Sequence, residues 1–119
     1  MSFFNRLANF ISRGGREDNL MQQGMVHADA NRPEKAIAIY DSLVASKSAS
    51  LTVRSRALFN RALAYSALKD DKKAIADLEQ VTKMSGAPEN VMTAAKNQLI
   101  RVRNRAERHQ DRKEVARQH

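Results

Sequence analysis

Residues 57–81 read ALFNRALAYSALKDDKKAIADLEQV, and the fold turns on how small and large side chains alternate along them. Ala62 and Ala74 stand where two paired helices must approach closely, and Tyr65, Leu78 and Val81 are large enough to fill the gaps between them. Asp70-Asp71 interrupts the helical spacing and supplies an N-cap, so the stretch predicts one helix over about 50–69 and a second from about 71 to 84, stopped by Ser85-Gly86-Ala87-Pro88. The same pattern lies 38 residues upstream. There Gly24 matches Ala62, His27 matches Tyr65, Ala36 matches Ala74, Ile37 matches Ile75, Tyr40 matches Leu78 and Leu43 matches Val81. That copy predicts helices over about 17–30 and 33–46, with Pro33 in the first turn of the second. Downstream of Pro88, Val91, Met92, Ala95, Leu99, Val102 and Ala106 recur at steps of three and four, which predicts a long amphipathic helix covering the last hairpin. Beyond Ala106 the sequence ERHQDRKEVARQH is an exposed charged helix or a frayed tail, with Val115 its one large apolar side chain.

On these residues the chain resembles the tetratricopeptide repeat family. Ala62 and Tyr65 meet the family's small-then-aromatic requirement in the first helix, and Ala74, Leu78 and Val81 meet its requirement in the second. Gly24, Ala36, Tyr40 and Leu43 meet the same pattern upstream, with His27 standing where the aromatic usually does. The family repeat is about 34 residues long, so the extra length here falls in the connection around Ala45 to Ser50. The resemblance, which spans roughly residues 17–88, implies an all-α fold, a short solenoid of tandem helix-turn-helix repeats. It also implies a concave groove that clasps an extended or helical peptide. Carried over by position, the groove residues are Asp18, Met21, Gln22 and Met25 from the first copy and Arg56, Phe59, Asn60, Leu63 and Ser66 from the second. Lys96, Leu99 and Arg103 come from the capping helix, giving an apolar groove with a basic wall. Some members hold a terminal carboxylate with Lys, Asn and Arg. Asn60 stands at the middle Asn of that clamp, but Met21 and Met25 occupy positions where it would place Lys and Asn.

Three of the four Phe lie in the first ten residues. Phe3, Phe4, Leu7, Phe10 and Ile11 fall on one face of a helix that Gly14-Gly15 ends, and this face docks on the chain's own surface, joins a partner or a second copy, or serves a membrane or targeting role. The expected organisation is an amphipathic segment at 1–16, a repeat domain with its capping helix at 17–106, and a basic tail at 107–119. The net charge of +8 sits at the two ends, because acids and bases balance over residues 17–95.

With no Cys, the chain has no disulfide, thiolate metal site or cysteine nucleophile, and the absence permits a reducing compartment. His27, His109 and His119 are scattered without metal-site spacing, and Gly14-Gly15 lacks the Lys-Ser/Thr of a phosphate loop. Asp70-Asp71 is a helix start rather than a catalytic pair. No enzyme activity, cofactor or metal is expected. The expected partner is another protein, in the cytoplasm. The alternative is a basic accessory protein that attaches through its terminal segments to RNA or to an anionic membrane surface, as a peripheral association. Residues 91–119 contain no aromatic side chain to stack on a base, which argues against sequence-specific nucleic-acid recognition.

Overall fold

In the computed structural model, which describes residues 15–118, the chain forms α1 (Arg16–Asp29), α2 (Pro33–Ala45), α3 (Leu51–Ala67), α4 (Asp71–Thr82) and α5 (Glu89–Gln118). The helix ends follow local chemistry. Ser50 caps α3 by accepting from the Val53 N–H at 3.1 Å, and Asp70 caps α4 by accepting from the Lys73 N–H at 3.2 Å. Pro33 opens α2, and Glu17 and Asp18 place negative charge at the N-terminus of α1. The 38-residue period extends to the backbone. Asn31 and Lys69, one in each hairpin turn, have φ of 60° and 64°. Behind each, an amide closes the same loop, Arg32 N–H to His27 O at 2.8 Å and Asp70 N–H to Tyr65 O at 2.9 Å. The longer connection at 46–50 is tied to α1 by a hydrogen bond from Ser48 Oγ to Glu17 Oε1 at 2.8 Å, which lowers the Glu17 pKa.

Each helix packs on the next, and beyond those neighbours α1 touches α3 and α3 touches α5. The molecule therefore has two layers, with α1, α3 and α5 inside and α2 and α4 outside. One core cluster joins Met21, Ala36, Tyr40, Leu43 and Ala57; the other joins Leu58, Ala62, Ala74, Leu78 and Val81 to Val91, Ala95, Leu99 and Val102 of α5. The stretch at 107–118 continues α5 as a helix and is exposed throughout. Among the described residues no helix is long and apolar enough to cross a membrane.

Charged side chains tie the layers together where apolar contact ends. Arg61 of α3 donates from Nε and Nη2 to both Asp77 oxygens at 2.8 and 2.7 Å, and from Nη1 to Asp41 at 2.8 Å, so α2, α3 and α4 share one guanidinium. Arg105 of α5 bonds both Asp71 and the Ser66 hydroxyl. The adjacent acids are thus a cap at Asp70 and an interhelical ion pair at Asp71.

Gly24 is required by close approach. A Cβ there would lie 3.0 Å from both Cδ1 and Cζ of Tyr40 and nearer still to Cε1, and Tyr40 is only 1% exposed. Gly24→Val is expected to destabilise by about 1–3 kcal/mol through overpacking, lowering Tm by roughly 4–8 °C per kcal/mol. The cost should shrink when measured in a Tyr40→Leu background, a coupling that a double-mutant cycle reads directly.

Candidate functional site

Side chains spaced three and four apart on α1 and α3 share one face of each helix, and between these faces lies a cavity of about 690 Å³. Helix α1 lines it with Asp18, Met21, Met25, Ala28 and Asp29. Helix α3 lines it with Val53, Arg56, Phe59, Asn60, Leu63, Ala64 and Ala67. Asn31, Pro33 and Tyr40 contribute from the first hairpin, and Asn90, Val91 and Ala94 from the start of α5. The lining is mainly apolar, and part of it meets solvent: Leu63 is 39% exposed, whereas Met25 and Phe59 are half-buried. Asn60 Nδ2 donates to Met21 Sδ at 3.5 Å, linking the two walls.

Met21, Met25, Arg56, Phe59, Asn60 and Leu63 all line this cavity, with Asp18 beside them. The remaining expected groove residues are elsewhere. Gln22 is half-buried off the lining, and Ser66 is buried under Arg105. Leu99 packs in the core, Arg103 pairs with Glu79 at 2.8 Å, and Lys96 is exposed away from the cavity. The physical reason is the direction of the α5 stripe. Val91, Ala95, Leu99 and Val102 turn into the core, so only the first turns of α5 reach the cavity. Asn90 and Ala94, four apart beside that stripe, carried the signal that was overlooked. The expected basic wall disappears with Lys96 and Arg103: the charged lining residues are Asp18, Asp29 and Arg56. Among the described residues Arg56 is the one cation on the lining, so the set of cations needed for a carboxylate clamp is not assembled there. The apolar face of Phe3, Phe4, Leu7, Phe10 and Ile11 lies outside the described residues.

Tyr40 couples the cavity to the core. Burial, with a smaller contribution from the Asp29 charge, pushes its phenol up to about 12. A raised pKa means the folded state holds the proton more tightly. Its stabilising contribution is therefore complete below the unfolded tyrosine pKa near 10 and is lost as pH rises towards 12. Tyr40→Phe, which cannot ionise, is expected to remove this part of the alkaline loss of stability, as measured by denaturant melts across that window. A wild-type-like decline in Tyr40→Phe would assign the loss to other groups.

Residues 55–88 match the family model described as tetratricopeptide repeat. No curated protein and no solved structure matches the chain.

Proposed function

We propose, from the match of residues 55–88 to the tetratricopeptide repeat model, that the chain is a non-catalytic interaction protein of that family holding a peptide or a helix of another protein in the groove between α1 and α3. The observation that carries this reading is an apolar cavity of about 690 Å³ with Phe59, Leu63 and Met25 incompletely buried. Such a surface gains free energy when an apolar segment covers it, and the sparse charges at Asp18, Asp29 and Arg56 can orient that segment. Met21 and Met25 adapt their shape to different occupants.

Peptides selected for affinity to the full chain provide the test. Leu63→Glu is expected to weaken them by about tenfold or more, as loss of a central apolar anchor does. Gln80→Glu, on the exposed surface of α4, is expected to leave affinity unchanged. Peptides that bind Leu63→Glu as well as wild type would place the binding surface away from the groove.

A second reading rests on α5, whose exposed stretch at 107–118 carries Arg108, Arg112, Lys113 and Arg117 interleaved with Glu107, Asp111 and Glu114, and which is preceded by exposed Lys96, Arg101 and Arg103. These basic side chains can hold RNA or an anionic membrane surface by charge. Such binding would fall steeply with added salt, whereas groove binding would change little.

A further inference from the structure

Helix α1 lines the groove from its first turn at Asp18 to its last at Asp29, so the chain that leads into Gly15 arrives at one end of the groove. We propose that residues 3–13 of the same chain occupy this groove and keep it closed until a partner segment displaces them. This rests on the groove being the binding surface. Four observations converge on that occupant. Phe3, Phe4, Leu7, Phe10 and Ile11 have the spacing of one apolar helical face; left in water, these side chains form a patch of several hundred Å², large for a soluble monomer. The length fits, since eleven residues in helical form span about 16 Å, against about 21 Å for the 14 residues of α1. Gly14-Gly15 supplies the backbone freedom to reverse direction at the junction. The charges also complement one another, because the described lining carries Asp18 and Asp29 at the two ends of α1 against the single cation Arg56, and the segment carries Arg6 and Arg13 without an acid.

Self-closure lowers a partner's apparent affinity by the fraction of chains that are open. A groove closed in about 90–99% of molecules weakens the partner about 10- to 100-fold.

Because the chain has no Cys, Asn9→Cys on the polar side of the segment accepts a single nitroxide label in the full chain. Self-closure predicts that the label broadens the Met21 and Met25 methyl signals and spares Met84, at every protein concentration. A mixture of nitroxide-bearing chains with isotope-labelled, nitroxide-free chains should show no broadening. Broadening in that mixture would assign the segment to a second copy, and absence of broadening in every sample would remove the docking; either result overturns the proposal. Loss of binding to anionic phospholipid vesicles on Phe4→Glu, without methyl broadening in the chain labelled at Asn9→Cys, would assign the face to a membrane and overturn it equally. The selected groove peptides then give the second measurement. The full chain carrying Phe4→Glu and Phe10→Glu is expected to bind them about 10- to 100-fold more tightly. Unchanged affinity would overturn self-closure while leaving the groove reading intact, whereas peptides indifferent to Leu63→Glu would strike the groove reading itself.

Discussion

A chain ending at Lys83 is expected to lose its cooperative melting transition, whereas a chain ending at Ala106 is expected to melt within a few degrees of the full sequence. The difference lies in what α5 buries. Val91, Ala95, Leu99 and Val102 close over Leu58, Leu78 and Val81, and all four lie in the first half of the helix. Burying each Val or Leu side chain contributes about 1.5–3 kcal/mol, so losing three of them approaches the entire stability of about 5–15 kcal/mol expected for a domain. Their partners would also be exposed, and aggregation is the expected companion of the lost transition. The chain ending at Ala106 keeps these four residues and Arg105, with its bonds to Asp71 and Ser66; the described residues that it discards, 107–118, are exposed throughout. Calorimetry on the two proteins checks both halves of the statement. A sharp, reversible melt of the chain ending at Lys83 would show that the two hairpins close a core unaided.

Asp77→Ala is expected to cost about 2–3 kcal/mol, less than the 3–5 kcal/mol typical of breaking a fully buried pair. The side chains of Arg61 and Asp77 are only 18% and 7% exposed, and hydrogen bonding to Asp77 holds the Arg61 pKa above its ordinary value. Without Asp77 the guanidinium keeps Asp41 and some access to water, which limits the loss. Asp41 is 53% exposed, so Asp41→Ala is expected to cost no more than about 1 kcal/mol. Removing both charges in Arg61→Leu with Asp77→Leu should be milder than Asp77→Ala, because no ion is left half-desolvated. Urea midpoints at constant m-value would order the three variants, and equal losses for Asp41→Ala and Asp77→Ala would refute the assigned asymmetry.

The helices between Arg16 and Thr82 were legible because their signals are local. The period-38 match of small with small and large with large, the Pro33 start and the Asp70 cap each act within one hairpin. The α1 and α3 walls of the groove followed from the same register. The contribution of α5 did not, because a helical stripe tells which residues turn inward but not how far along its length the helix remains beside its neighbours. Leu99 was read as lining and is core, while Asn90 and Ala94 were passed over. Tyr40 belongs both to the core and to the lining, a double role that depends on the space left by Gly24 and has no sequence period of its own. The ion pairs of Arg61 and Arg105 were equally invisible, since partners such as Asp71 and Arg105 are 34 residues apart and nothing in the local pattern links them.

Packing that reaches no farther than the next-but-one helix also sets the order in which the chain can acquire its structure. Among the described residues no distant strand or long loop has to be closed before contacts begin to stabilise, and helical folds of such low contact order fold in microseconds to milliseconds. Either hairpin can form first and serve as the surface on which the other condenses. The interior helix α3 has neighbours on both sides, whereas α1 has them on one. Transient opening therefore starts from the terminal helices, α1 at one end and α5 at the other, and α1 is the wall of the groove joined to the segment proposed to fill it.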